Sequence, residues 1–373
     1  MFKENSVWDL KILHITSWFP NLENEKEALF IQRQIDSLEP YVEFQKVVHL
    51  NVTPGPFRSD FTHHAGVTHY ILSLPISRWF VIEIISSILL IWILFRHSSY
   101  RFTLINFHIA YPNLTHWHLI GKLLSSSKVV ISEHWSAYHS NFGLDRPPSR
   151  IVKIFSQGIP VLAVSSALSD DIKKFSNADL ISHVVPNVVD TDFFLRDEHI
   201  EREDKRFFMV GQWQYPKMPL VAIHAFHRYL NNYPDGKLVI AGYGSLLSKM
   251  KSLVSELKLN SSVIWFEKMS SLEISREMNK ASAYIHISSY ETFSVVCAEA
   301  IHCKCPVIAS RVGGIPEFIN ERNGVLVSEN LEKCFFEAML KITEEPILVE
   351  NEVDFSKTAI GLRYIQVLRE LLL

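Results

Sequence analysis

The chain has 373 residues, of which 47% are hydrophobic and 21% charged, with a formal net charge of −3. This composition excludes a disordered chain, and the length exceeds that of most single hydrophobic cores, so we expect two globular domains. The slightly acidic balance argues against nucleic acid as the main partner. The opening residues are polar and mixed, without the basic and apolar regions of a signal peptide, which predicts a cytoplasmic protein.

The first half alternates apolar runs with helical segments, the pattern of a parallel α/β sheet. One run, LINFH, ends at His108, and another, VVISE, is followed directly by His134. Ligands of such sheets gather at the carboxyl ends of the strands, so both histidines are candidate site residues. For His108 a structural role stands as the alternative.

The most apolar segment, residues 79–95, has 17 residues and contains Glu83. A membrane-spanning helix needs about 20 apolar residues. A span would also separate the strand-like runs on either side of it, which could not then share a sheet through a short crossover. We therefore predict a crossover helix. Its outer face packs either within the protein or on a membrane surface, through residues 78–96.

Charge is unevenly distributed along the chain. Residues 44–176 carry twelve Lys and Arg against six Asp and Glu, a net charge of +6, so the remainder carries −9. A basic half favours attraction to anionic lipid or to an acidic acceptor, and a solvated basic face is the alternative.

A domain boundary is predicted where PNVVDTD is followed by a charge-rich linker. Asp190-Thr191-Asp192 has the D-x-D spacing that can hold a divalent metal, but it follows the last strand of the first domain, so we interpret it as a hinge. The four cysteines lack the spacing of a zinc site. We therefore expect no metal. The predicted domains are 1–190 and 191–350, followed by a helix within 351–373 that packs back on the first domain.

The second half contains a strand and loop ending at Lys217, and a second strand followed by Gly242-Tyr243-Gly244, which would allow close backbone approach to a ligand. Further on, residues 283–287 read as a buried strand, Val295 to about Cys303 as a helix, and 306–309 as another strand. Ser294 is predicted to cap that helix with its hydroxyl. The helix start is an anion site between two carboxylates, Glu291 and Glu299, a cradle suited to sugar, diphosphate and ribose.

Glu291 and Glu299, with seven residues between them and PVIASRVGGIPE after them, resemble the E-x7-E signature of the retaining glycosyltransferases of family four. The resemblance implies an α/β fold of the GT-B type, with two Rossmann-like domains of mostly parallel sheets facing a central cleft. It places the acceptor on the first domain and a nucleotide-sugar on the second, as a substrate without any separate cofactor. Sugar transfer would proceed with retention and without metal.

The resemblance also implies roles for individual residues. Glu291 would hold donor-sugar hydroxyls, Glu299 the ribose, and His134 would lie near the anomeric carbon. Gln212 stands where the family has an arginine that binds diphosphate with Lys217, and Ala28 and Val188 stand where it usually has glycine. The expected site residues are His134 and Glu291 as catalytic residues, and Lys217, Gln212, Gly242, Gly244, Phe293, Ser294, Glu299, Gly313 and Gly314 for the donor.

The expected reaction transfers a hexose-type sugar to a lipid-linked or saccharide acceptor in surface polysaccharide biosynthesis. The apolar helix and the basic first half favour a protein that is cytoplasmic, or peripheral on the cytoplasmic face of the membrane. Two alternatives remain open: a nucleotide-sugar epimerase of the same fold, and a non-catalytic partner subunit, which the three departures at Gln212, Ala28 and Val188 favour.

Overall fold

A computed structural model describes residues 8–21, 28–122, 124 and 127–372. The chain forms two compact units. The first contains the residues up to Val188 and those from Lys357 onward, and the second is Val189–Ser356. The first seven residues of the polar opening segment lie outside the described residues.

The first unit is built on a sheet with eight described strands, in the order β3-β4-β2-β1-β5-β6-β7-β8. Neighbouring strands of this sheet are parallel, except that β3 is antiparallel to β4. The strands are β1 (Trp8–Thr16), β2 (Val42–Pro54), β3 (Arg58–His64), β4 (Val67–Leu74), β5 (Leu104–His108), β6 (Lys128–Glu133), β7 (Val161–Ala163) and β8 (Ser182–Val184). The helices are α1 (Leu29–Asp36), α2 (Trp79–Arg96), α3 (Trp117–Ile120), α4 (Ser149–Phe155) and α5 (Ser166–Ser176).

Helix α2 connects two strands of one sheet. It leaves β4 and leads to β5, on the other side of β2 and β1. By length and composition alone, it is a helix apolar enough to cross a membrane. Because the strands before and after it belong to the same sheet, the predicted crossover helix is confirmed.

The second unit has a parallel sheet with six described strands, in the order β11-β10-β9-β12-β13-β14. Phe207, Ile240 and Ile285 from three neighbouring strands are at most 1% exposed and form its core with helix residues such as Phe226 and Phe335. The strands are β9 (Glu203–Gln212), β10 (Lys237–Tyr243), β11 (Val263–Phe266), β12 (Ala281–His286), β13 (Val307–Ser310) and β14 (Gly324–Val327). The helices are α6 (Pro219–Tyr229), α7 (Leu247–Glu256), α8 (Ser271–Lys280), α9 (Val295–His302) and α10 (Glu332–Glu344).

The last helix, α11 (Lys357–Leu372), belongs to the first unit. Gly361 lies against the backbone of Ser37, where a side chain would collide with the carbonyl oxygen. The hydroxyl of Tyr364 accepts from Asn106 Nδ2 at 2.5 Å and lies 2.6 Å from Ser132 Oγ. Close backbone approach and buried hydrogen bonds therefore hold α11 on the first sheet.

Candidate active site

The candidate site of the second unit is built at the carboxyl end of β12. This strand ends at His286, a loop carries Glu291, and α9 begins at Val295 and carries Glu299. Ligand sites of parallel sheets form at this edge, where loops connect strands to the helices that follow. The predicted strand, loop and helix are all present, within two residues of their expected bounds.

Backbone pairing brings Lys217 to this loop. Lys217 forms an antiparallel bridge with Ser288. On either side of it, Met218 N–H donates to Ile287 O at 3.1 Å and Ser289 N–H donates to Pro216 O at 3.0 Å. These bonds fix the loop after β9 against the loop after β12, although the two loops are about 70 residues apart in sequence.

Three side chains meet there. Lys217 Nζ pairs with Glu291 Oε1 and lies 3.2 Å from His286 Nε2. The same His286 nitrogen lies 3.1 Å from Glu291 Oε1. The side chain of Glu291 is 16% exposed and that of Lys217 is 22% exposed, so the pair is partly shielded from water but accessible to a ligand.

The charges of the cluster follow from these contacts. Burial raises the pKa of Glu291, but Lys217 and His286 outweigh it and lower that pKa to about 2. Burial, and then the charge of Lys217, lower the pKa of His286, and Glu291 opposes them only in part. At neutral pH Glu291 is therefore a carboxylate and the imidazole of His286 is neutral, with Lys217 beside both.

Sequence reasoning missed His286. The ring is 4% exposed, and its Nδ1 lies 3.2 Å from the hydroxyl of Tyr284, which donates to Val210 O. Tyr284 thus fixes the ring, whose other nitrogen faces Glu291 and Lys217. The signal was present, because His286 ends a buried strand just as His108 does.

Ser294 does not cap α9 with its side chain, so that prediction is wrong. It is the residue before the helix, but its φ of 70° and ψ of 82° lie in the left-handed region, and its hydroxyl makes no capping bond. Instead Ser294 Oγ lies 3.4 Å from His286 Nε2. The first backbone N–H groups of α9 have no partner within the helix, as at any helix start. Glu291 lies in the loop just before these N–H groups in sequence.

The predicted glycines have structural reasons of their own. Gly313 has a φ of +51°, and a side chain there would collide with the carbonyl oxygen of Glu291. Gly314 N–H donates to that same oxygen at 3.1 Å. A side chain on Gly242 would collide with the carbonyl oxygen of Gly211 in β9, and one on Gly244 with that of Trp213 just after β9. These glycines pack the loops of the site together, and their contact with a ligand remains a prediction.

The other predicted donor residues differ in their accessibility. Gln212 is the exposed last residue of β9, and Glu299 on α9 is 7% exposed. The ring of Phe293 is buried against Phe318 and Phe355, at centroid distances of 5.0 and 5.2 Å. Only its backbone is therefore available to a ligand.

In the first unit, His134 directly follows β6 at the carboxyl edge of the sheet. The carboxylate of Glu133 accepts from the backbone N–H groups of Ala110 and His134, at 3.0 and 2.9 Å. It therefore ties the loops after β5 and β6 together. Burial lowers the pKa of His134 to about 3, with Asn187 opposing, so the ring is neutral.

His134 and His108 differ in their contacts. His108 is fully buried, and its Nε2 lies 3.0 Å from Nδ1 of His14, which supports the structural alternative. The ring of His134 packs at a tilt against Phe30 and stacks on His108, and the side chain of Asn187 is its polar neighbour.

The D-x-D segment begins with a turn at Asp190. The backbone carbonyl of Asp190 accepts from the N–H groups of Phe193 and Phe194, at 3.2 and 2.9 Å. Among the described residues, no group of three or more His, Cys, Asp or Glu side chains is arranged to hold a metal ion.

The family model of glycosyl transferases group 1 matches residues 190–361, which include the whole cluster around Glu291. Residues 190–361 are therefore similar to the glycosyl transferases of group 1. The family predicted from the E-x7-E pattern is thereby confirmed, and the group 1 domain coincides with the second unit, apart from its ends.

Similar proteins are glycosyltransferases. One component of the human phosphatidylinositol N-acetylglucosaminyltransferase is 23% identical over 68% of this chain and 54% of its own length. The N-acetylgalactosamine-N,N'-diacetylbacillosaminyl-diphospho-undecaprenol 4-alpha-N-acetylgalactosaminyltransferase of Campylobacter jejuni is 26% identical over 51% of this chain and 52% of its own length. The chain thus spans about half the length of these curated relatives.

The structure of HepE from Anabaena in complex with UDP-glucose superimposes with a TM-score of 0.70, 15% identity, and coverage of 97% of this chain and 100% of that one. A likeness at this identity concerns the fold. The predicted GT-B architecture with two mostly parallel α/β sheets is confirmed.

Proposed function

We propose that the protein is a retaining glycosyltransferase that moves a sugar from a nucleotide-diphosphate sugar to a lipid-linked or saccharide acceptor. The observation that carries this proposal is the cluster of Glu291, Lys217 and His286 at the start of α9 in a group 1 domain. A carboxylate, a cation and free helix N–H groups at one point suit a ligand that joins sugar hydroxyls to a diphosphate.

In this reaction the carboxylate of Glu291 would accept hydrogen bonds from the donor sugar. His286, which Tyr284 holds on its other side, would position Lys217 by accepting from its Nζ. Lys217 would turn from Glu291 toward the departing diphosphate, where its charge and the N–H groups of α9 would stabilise the developing negative charge. Glu299 would bind the ribose, Ser294 and the backbone of Phe293 the phosphates, and Gly313 and Gly314 the sugar.

Gln212 would donate a neutral hydrogen bond to the diphosphate at the position where an arginine is expected. The loop of Gly242 and Gly244 lies next to it, because Tyr243 pairs with Gln212 across the parallel strands β10 and β9. In the first unit, the neutral ring of His134 would bind a sugar substrate at the carboxyl edge of the sheet.

The names of two relatives bear on the acceptor. The Campylobacter relative is named for transfer to a diphospho-undecaprenol-linked saccharide, and the human relative for transfer to phosphatidylinositol. One name specifies a lipid-linked saccharide and the other a lipid, which supports an acceptor with a lipid part. The first of them also supports a role in surface polysaccharide biosynthesis. A location on the cytoplasmic face of the membrane would bring the enzyme to such an acceptor.

The test begins with isothermal titration of the protein against UDP-, GDP- and ADP-sugars, which we expect to identify one donor that binds. That donor is then incubated with undecaprenyl-diphosphate-linked saccharides, and the stereochemistry of the product is read by NMR. We expect Glu291→Ala to reduce transfer by about a hundred- to a thousandfold, as loss of a transition-state contact does. Glu321→Ala, an exposed carboxylate of the same unit, is the matched control.

Three outcomes would contradict the proposal. Full activity of Glu291→Ala would refute the role of the cluster. Conversion of the donor sugar without any acceptor would identify an epimerase. Absence of binding to every nucleotide-sugar would identify a non-catalytic partner protein.

A further inference from the structure

Helix α2 is apolar on both of its faces, and its polar side chains face the protein. Its buried residues are four apolar ones together with three polar ones, namely Ile82, Leu90, Ile93, Leu94, Glu83, Ser86 and Ser87. Its exposed side chains are large and apolar, with exposures of 46% for Trp79, 60% for Phe80, 59% for Ile88, 47% for Trp92 and 81% for Phe95. A surface helix of a soluble domain normally exposes charged and polar side chains on its outward face.

Hydrogen bonds hold the polar side chains of α2 inward. Glu83 Oε1 accepts from the hydroxyl of Tyr111 at 2.9 Å and from Arg150 Nε at 2.6 Å. Ser86 Oγ donates to Asn113 Oδ1 at 2.7 Å. A rotated helix would leave these groups buried without partners, so the outward position of the apolar side chains is part of the fold.

Two apolar depressions flank the exposed face. One, of about 850 Å³, lies between α2 and the sheet and is lined by residues such as Leu13, Phe95 and Ile105. The other, of about 640 Å³, is lined by Phe61 and Tyr70 on the opposite side. Ile88 and Trp92 line both, so the helix is a ridge between two apolar grooves.

The surroundings of the ridge are basic. Exposed arginines stand at both ends of the helix, Arg78 and Arg96. Lys46 lies in a depression with Arg96, and Arg101 lines the larger groove. Glu83 is the only acidic residue of α2, and it is 1% exposed and paired with Arg150. The occupant of this surface must therefore be both apolar and anionic.

A second copy of the chain fits less well. A two-fold contact would place the same basic groups opposite each other, because such an interface is isologous. Like charges would then meet without any exposed acid of α2 to offset them.

The larger groove is distinct from the candidate site. Thr103 and Phe102, which line it, stand at the amino-terminal end of β5, whereas His108 ends that strand. Ligand sites of parallel sheets form at the carboxyl ends. The groove therefore suits an anchor and not the sugar acceptor.

We propose that the outward face of α2 docks on the surface of an anionic lipid bilayer, with lipid chains entering the flanking grooves and headgroups meeting the basic residues. Aromatic and apolar side chains bordered by arginine are the composition of helices that lie in the plane of a membrane interface. The inference is independent of sugar transfer, because docking requires neither donor nor acceptor.

The test is flotation of the full chain with vesicles of phosphatidylcholine alone and of phosphatidylcholine with 30% phosphatidylglycerol. We expect flotation with the anionic vesicles, weakened in 0.5 M salt, where the Debye length falls to a few ångströms. Phe95→Ser should reduce the partition coefficient about tenfold, since an aromatic side chain no longer leaves water. Leu348→Ser, which removes an 89% exposed side chain of the second unit, should leave it unchanged.

A second pair of variants tests the charge separately. Arg96→Glu should lower binding to anionic vesicles, whereas Arg276→Glu, the same change at an exposed position of the second unit, should lower it far less. Recovery of the wild-type protein in the soluble fraction with both vesicles would overturn the proposal. So would a concentration-dependent dimer that Phe95→Ser dissociates, since a second copy would then cover the face. Donor titration with the same variants separates these outcomes from a failure of the proposed glycosyltransferase.

Discussion

The ion pair of Glu291 and Lys217 makes a testable contribution to the stability of the second unit. In the fold the pKa of Glu291 falls from 4.5 to about 2. One pKa unit corresponds to about 1.4 kcal/mol, so a shift of this size corresponds to about 3 kcal/mol of stability at neutral pH. Glu291→Gln, which has nearly the shape of the protonated acid, should remove about this amount.

The pH dependence follows from the sign of the shift. A carboxyl whose pKa is lower in the folded state adds stability fully above its unfolded pKa, and loses that contribution as pH falls through the folded value. The difference between wild type and Glu291→Gln should therefore be largest above pH 5 and should shrink between about 4.5 and about 2.

The assay is urea unfolding at a series of pH values, with hydrogen exchange of peptides from β9 and β12 to report the second unit. Glu337→Gln on α10 is the matched control, because its partner Lys333 lies at 3.7 Å but both side chains are more than half exposed. That change should cost no more than about 0.5 kcal/mol. The reasoning fails if Glu291→Gln costs as little as the control, or if its cost is the same at pH 7 and pH 3.

Two further predictions concern the same loops. Ser294→Gly should stabilise the second unit by about 1 kcal/mol, because Ser294 has a left-handed backbone with a φ of 70° that glycine adopts without strain. Thermal denaturation measures this change, with Ser289→Gly, outside the left-handed region, as a control that should not stabilise. Gln212→Arg should leave donor affinity unchanged or strengthen it, by up to about 1.5–3 kcal/mol for a charge-assisted bond, as measured by titration. A clear loss of affinity would show that residue 212 does not face the diphosphate.

Much of the fold was predictable because its signals are local. Apolar runs with short helical segments between them specify parallel strands, and the E-x7-E spacing identified the loop and helix of the candidate site. The sequence also argued against a membrane span, since α2 had to connect two strands of one sheet. Ser294 was misread because Ser at a helix start normally caps it, and the left-handed backbone of this residue has no separate signature in sequence.

By itself the sequence determined the two α/β units, the group 1 domain and the carboxylates of its signature, because these depend on periodicity and spacing. Only the tertiary structure decided which side chains meet. Lys217, His286 and Glu291 converge through pairing of two loops distant in sequence, and that pairing sets their charges. The direction in which α2 faces was likewise undetermined by its composition, which is apolar nearly all round. Buried partners for Glu83 and Ser86 turned its aromatic side outward, because polar groups lose more by unsatisfied burial than apolar groups lose by exposure.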